Sequence, residues 1–334
     1  MKGNIKEITK EIVKNEKILL VGHILPDGDD VSSLTSMKLG LEKLGKKVSA
    51  VIDDDIPEYL LQFPTIKASI ESFKDVENNI YQNFDLMIIL DSSSPDRVGR
   101  FEKYLNSFRV LLIDHHVTNT HFGNINWVDP TMGSTAQMVY RILKDFNIDY
   151  DNELANMNLL GIATDTGFFK YQNAGSTVFR DAADLIEKGA NISYIANTIL
   201  DNTPLEHILL YKDILNELKI TSEGRIAYSL LTLGMLAKYN ILPKDSPSFV
   251  ENIRSIRNVE IAIVFQEYKE NLYHVSLRSK KWADVSKIAL KYGGGGHPRA
   301  AGFSIQTRNI EKSIKEIVED ISKYLRESIG DLTF

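Results

Sequence analysis

Three short apolar runs, each ending in a residue able to hold a metal ion or a proton, constrain this chain more than any other feature. KILLVGH ends on His23 and FDLMIILD ends on Asp91. RVLLID ends on Asp114, with His115 and His116 directly after it. A continuous apolar run of this length reads as a strand buried on both faces. Lys47–Ile52 is a further strand candidate. Asp30–Leu44, Gly133–Leu143 and Glu153–Ala163 have helical patterns, so strands alternate with helices and the sheet is expected to be parallel. Ligands of open α/β sheets bind beyond the carboxyl ends of the strands. His23, Asp91 and the Asp114-His115-His116 segment should therefore meet at one edge. Asp27 and Asp29, in the turn H-I-L-P-D-G-D, follow the first strand, and Asp165 in A-T-D-T-G ends a helix that can reach the same edge.

Taken singly, these residues are ordinary, because aspartate is a favoured turn former and helix cap. Their convergence from four segments is not, since buried carboxylates without partners are costly. Asp27, Asp29, Asp91 and Asp165 carry four negative charges, which balance two divalent cations. His23 and His115 add neutral nitrogen donors. The chain has no cysteine, which excludes disulfides, thiolate zinc sites, iron–sulfur clusters and a thiol nucleophile. Carboxylate with imidazole suits manganese, iron(II), cobalt or zinc better than calcium. A metal pair generates hydroxide at neutral pH and clamps both oxygens of a phosphoryl transfer, so the expected chemistry is phosphate ester hydrolysis.

At 334 residues the chain exceeds one ordinary core, and two domains are expected. Its 43% hydrophobic and 25% charged residues are those of a globular protein. The net charge of −6 disfavours a long phosphate track, hence long duplex nucleic acid, but allows a small anion at a locally positive site. The charged amino terminus has no signal-peptide core, and no run of 18 apolar residues occurs, so the expectation is a cytoplasmic protein without a membrane segment. From about Ala174 to Tyr211 the pattern is helical, and the domain junction is placed near Ile192–Pro204. Beyond it, Arg225–Leu231, Glu260–Gln266 and Tyr273–Leu277 read as strands, and Ala283–Tyr292 and Asn309–Arg326 as helices.

Gly293–Gly296 precede His297 and Arg299. A glycine run lets backbone approach a ligand and exposes N–H groups to an anion, and it also suits a plain loop. His297 and Arg299 favour phosphate, and Arg278 with Ser279 closes the preceding strand toward the same place. Phe168, Phe169 and Tyr171 are suited to stacking a base or to core packing. Arg97 is suited to contacting phosphate or bracing its loop. Lys280 and Lys281 read as a solvated pair, Trp127 and Trp282 as packing residues, and His121, His207 and His274 as structural.

The motifs H-x-x-P-D-G-D-x-x-x-S (His23 to Ser33), D-S-x-x-x-x-R-V-G (Asp91 to Gly99), D-H-H (Asp114 to His116) and A-T-D-T-G (Ala163 to Gly167) resemble, in order and spread, those of the DHH phosphoesterase superfamily. RecJ exonuclease and family II pyrophosphatase belong to that superfamily. G-G-G-G-H-P-R-A-A-G (Gly293 to Gly302) resembles the glycine-rich motif of the DHH-associated domain, which the pyrophosphatases lack. The pairing is similar to the bacterial nanoRNase/pAp phosphatase subfamily. The resemblance implies an α/β fold with a parallel-sheet DHH domain (residues 1–190), a helical linker (191–205) and a smaller α/β DHH-associated domain (206–334), with the active site in the cleft between domains. It implies two divalent ions, with Mn2+ favoured. His23, Asp27 and Asp91 would hold one, and Asp29, Asp91, His115 and Asp165 the other, so that Asp91 bridges. His116 would act on the scissile phosphate and Asp114 would orient a histidine. Arg97, Arg278, Ser279, Gly294, Gly295, Gly296, His297 and Arg299 would bind substrate. The implied reactions are hydrolysis of short single-stranded oligoribonucleotides and removal of the 3′-phosphate of 3′-phosphoadenosine 5′-phosphate (pAp). A cyclic di-AMP or pApA phosphodiesterase of the same superfamily is the rival, and a noncatalytic nucleotide or RNA sensor is the reading from another class. A homodimer is allowed. Asp30 stands where a small apolar residue is usual, and is expected to cap its helix or face solvent.

Overall fold

The computed structural model describes residues 3–221 and 223–330, with backbone alone at 297, 329 and 330. The chain divides into two units after Asn202. In the first, β1 (Lys17–Val21), β2 (Lys47–Ile52), β3 (Ile70–Ser72), β4 (Leu86–Leu90), β5 (Val110–Asp114) and β6 (Ile125–Val128) form one parallel sheet in the order β3-β2-β1-β4-β5-β6. Both faces are covered, which is why the strands are apolar without alternation. Ile18, Leu20, Ile88, Leu111 and Ile113 pack into one core with the helices Gly28–Lys43, Thr135–Asp145 and Asn152–Asp165. Leu19, Val21, Met87, Ile89 and Leu112 face the opposite core with Phe73, Phe101 and Tyr104.

Those three helices approach closely at Gly161. A Cβ there would lie 2.5 Å from the Ala136 Cβ and 3.0 Å from the Asp29 Oδ1. Strand order reverses between β1 and β4, since β2 and β3 lie to one side and β5 and β6 to the other. Such a reversal opens the crevice where ligands of α/β sheets bind. His23 follows β1 and Asp91 follows β4, so they flank it.

The second unit has a mixed sheet of β7 (Lys219–Ile220), β8 (Ile226–Leu231), β9 (Ile261–Lys269), β10 (Leu272–Ser279), β11 (Gly295–His297) and β12 (Ala300–Gln306), ordered β11-β12-β10-β9-β8-β7. Within this sheet β8 and β9 pair in parallel, and the other described pairs are antiparallel. Ile261, Ile263, Phe265 and Leu277 pack against Ile288 and against Ile317, Ile321 and Leu325 of the terminal helix Ile310–Gly330. Ala262 and Val264 face Leu210, Ile214, Val250 and Ile253 on the other side.

Several elements depart from the sequence expectation. The charged amino terminus, assigned no element from the sequence, forms the helix Ile5–Lys14, opened by a capping box between Asn4 and Glu7. Pro95–Tyr104 forms two short helical turns broken at Gly99, and the second half of the glycine run, Gly295 and Gly296, enters a strand. Lys280 is half-buried, with its Nζ donating to the Ile256 carbonyl, so it is not a freely solvated cation. No helix among the described residues is long and apolar enough to cross a membrane.

Candidate metal centre

Asp27 is the N-cap of the helix Gly28–Lys43, and its Oδ1 accepts from the N–H groups of Asp29 and Asp30 at 3.0 and 3.2 Å. Capping therefore aims the D-G-D turn back at the end of β1. Asp29 is buried and is held by the N-terminus of the helix Thr135–Asp145. The Thr135 N–H donates to its Oδ2 at 2.7 Å and the Ala136 N–H to its Oδ1 at 2.8 Å. The Thr135 hydroxyl donates to the Asp91 Oδ1 at 2.8 Å. Asn173 donates to the Asp165 Oδ2 at 3.1 Å. Thr135 and Asn173 are positioning residues that the strand-end pattern missed. The G-S-T entry to an apolar helix was the available signal for the first, and nothing local marks the second.

The structure brings together His23, Asp27, Asp29, Asp91, His115, His116 and Asp165. The ligand atoms of His23, Asp27 and Asp91 all lie within 4.8 Å of one another. So do those of Asp29, His115 and Asp165, and those of Asp91, His115 and His116. The Asp91 Oδ2 is 3.7 Å from the His23 Nε2, and its Oδ1 is 3.7 Å from the His115 Nε2. The His115 Nε2 is also 3.8 Å from the Asp29 Oδ2 and 3.6 Å from the Asp165 Oδ2. The His116 Nδ1 is 2.7 Å from the Asp114 Oδ1, and the second Asp114 oxygen accepts from Asn119. Asp114 thus fixes the ring of His116, whose side chain is 30% exposed.

Electrostatics show a cluster short of cations. Burial and the neighbouring Asp91, Asp165 and Asp27 push Asp29 well above the usual carboxylate range. Burial lifts Asp165 to about 6 against the pull of His115. Burial opposes charge on His23, yet Asp30, Asp91 and Asp27 raise it to about 10. Burial likewise opposes the His116 cation, and Asp114 and Asp91 raise it to about 9. Asp91 resists its own burial through His23, His115 and His116 and falls to about 2. Buried carboxylates that draw protons onto imidazoles fit divalent cations, and the oxygen and nitrogen donor set fits a metal of the manganese, iron or zinc kind.

Asp30 contradicts the expectation of a cap or a solvent-facing residue: it is fully buried. Asp27, three positions earlier, supplies the cap, and the helix start is covered by Gly22 and His23. Arg97 is half-buried with its Nη2 2.9 Å from the His23 Nδ1, while that same nitrogen lies 2.9 Å from the Ile24 carbonyl.

In the second unit, the Arg278 Nε donates to Glu251 at 2.7 Å. The Ser279 hydroxyl donates to the Pro298 carbonyl at 3.2 Å, and the Arg299 Nη1 to the Ala283 carbonyl at 2.6 Å. The N–H groups of Gly293 and Gly294 are donated to the Leu290 and Ala289 carbonyls. Gly295 and Gly296 lie in β11, paired with Gly302 and Ala301 of β12. A Cβ at Gly294 would lie 2.1 Å from the Gly302 oxygen, so only glycine fits there. The His297 side chain is outside the described residues.

Residues 17–162 match the family model described as DHH family, N-terminal domain, and residues 223–327 match the DHHA1 domain. The chain is 30% identical over 308 residues to a protein of Thermus thermophilus named bifunctional oligoribonuclease and PAP phosphatase NrnA, covering 92% of this chain and 90% of that one. It is 26% identical to the Bacillus subtilis protein of the same name, covering 95% and 98%. A solved exopolyphosphatase-related protein from Bacteroides fragilis shares the fold with a TM-score of 0.89 at 24% identity, over 96% of this chain and 97% of that one. RecJ of Thermus thermophilus, solved in complex with Mn2+, aligns with a TM-score of 0.54 at 13% identity, over 96% of this chain and 54% of RecJ. With both domain models matched in order and a relative aligned across nine-tenths of its length, the chain belongs to the DHH phosphoesterase family and is a hydrolase acting on phosphoester bonds.

Proposed function

We propose that this protein hydrolyses short single-stranded oligoribonucleotides to mononucleotides and dephosphorylates pAp to AMP. The observation that carries the chemistry is the split of Asp91, with one oxygen turned to His23 and the other to His115. That split supports two ions bridged by Asp91, one held with His23 and Asp27, the other with Asp29, His115 and Asp165. When bound, a pair of divalent ions, preferentially Mn2+, supplies hydroxide at neutral pH and charge neutralisation at the phosphoryl group. Asp114 orients the His116 ring through its Nδ1, and His116 would donate a proton to the leaving oxygen. Arg97, beside His23, would contact phosphate. The substrate assignment rests on the NrnA-named relatives of Thermus thermophilus and Bacillus subtilis. In this reading residues 1–190 form the catalytic domain and 206–334 grip the nucleotide through Arg278, Ser279, Gly294–Gly296, His297 and Arg299.

Product analysis with Mn2+ on pAp, pApA, cyclic di-AMP and a ladder of short RNAs tests the proposal. AMP from pAp and mononucleotides from the shortest RNAs are expected. Turnover confined to cyclic di-AMP and pApA, or no turnover of any substrate, would overturn it.

A further inference from the structure

Asp30 has no part in the ligand groups, yet it lies beside them with none of its surface exposed. Its Oδ1 accepts the main-chain N–H of His23 at 3.2 Å, and its Oδ2 has no hydrogen-bond partner among the described residues. Its position relative to Gly22 is equally tight. A Cβ on Gly22 would lie 2.4 and 2.7 Å from the two carboxylate oxygens. β1 ends at Val21, and the last hold of the sheet on this segment is the Gly22 N–H donated to the Val51 carbonyl. Beyond it the Asp30 carboxylate is the next restraint, followed by the Ile24 N–H donated to the Arg97 carbonyl.

A buried carboxylate with one oxygen left unpaired costs stability unless it does something else. We propose that Asp30 is a positioning residue: its carboxylate clamps the His23 main chain and thereby holds the imidazole toward Asp27 and Asp91. Groups that orient a metal ligand are energetically visible at the metal. This inference rests on the proposed two-ion site, and it assigns Asp30 to one half of it. Among the described residues His115, which would serve the other half, makes its ion pairs with Asp29, Asp91 and Asp165 and not with Asp30.

The test is calorimetric titration of Mn2+ into the metal-stripped full-length protein, with folding checked by circular dichroism. The parent should bind in two steps. Asp30→Ala should weaken one step by roughly 10–100-fold and leave the other unchanged. Asp30→Asn keeps an oxygen to accept the His23 N–H and should retain both steps, even if its unpaired amide lowers the melting temperature. Gly22→Ala displaces the carboxylate without removing it and should reproduce the one-step loss. If Asp30→Ala does not fold, the contrast between Gly22→Ala and Asp30→Asn decides. A parent that binds no pair of ions would refute the two-ion site itself. Given a normal parent, full affinity in both Asp30→Ala and Gly22→Ala would overturn the clamp. Equal weakening in Asp30→Asn and Asp30→Ala would overturn it too, because charge rather than position would then be responsible.

Discussion

Asp91 adopts a φ of 58°, in the left-handed region where aspartate is one of the few tolerated non-glycine residues. That turn comes directly after β4 and lets the carboxylate face His23 with one oxygen and His115 with the other. His115 and His116 are adjacent in sequence and differ in their partners. His115 presents its Nε2 to three carboxylates, whereas the His116 Nδ1 has its shortest contact, 2.7 Å, with Asp114. His115→Ala should therefore lower bound manganese, measured by elemental analysis. His116→Ala should keep the metal and lower kcat by roughly a hundredfold or more, the usual worth of a placed general acid. Equal metal loss in both variants would refute this division of roles.

The helices matter as much as the strands, because the Thr135–Asp145 helix delivers the N–H groups that hold Asp29 and the hydroxyl that reaches Asp91. That delivery depends on the close approach at Gly161. Gly161→Ala should cost about 1–3 kcal/mol by overpacking, read from denaturant unfolding, and should weaken manganese binding along with it. A loss of stability with metal affinity intact would show that helix packing and site geometry are uncoupled. The strands that carry His23, Asp91 and Asp114 were legible because burial on both faces leaves an uninterrupted apolar run. β3 and β6 were not, being short edge strands of three and four residues. The strand at the end of the glycine run was not legible, because a strand's signal is its side chains and β11 is defined by its pairing with β12. Asp30 misled for a different reason: an acid at a helix start reads as a cap or a solvent-facing residue, whereas the packing of Gly22 against that helix encloses it. The bond from Thr135 to Asp29 spans 106 positions, beyond any local pattern.

For the whole molecule, the acid cluster makes the metal-free protein sensitive to pH in a definite direction. Burial and like charges raise Asp165 from 3.8 to about 6 and Asp30 from 3.8 to about 8. Burial opposes the cation at His23, but the surrounding carboxylates raise it from 6.5 to about 10. In each case the folded state binds more protons than the unfolded one between the two values, so this stability is complete below the lower value and is lost as pH rises through the upper. The melting temperature of the metal-stripped protein should fall from pH 5 to pH 9, and saturating Mn2+ should flatten that fall by replacing protons with metal charge. A metal-free melting temperature that is constant or rises over this range would contradict the cluster's electrostatics. The most direct measurement is the rate of AMP release from pAp as Mn2+ is titrated into the metal-stripped protein. The rate should climb until two ions are bound per chain and then level off, with Asp91→Ala giving almost none. A full rate at one ion per chain, or no AMP at any ratio of metal to protein, would contradict a two-ion phosphoesterase centred on Asp91.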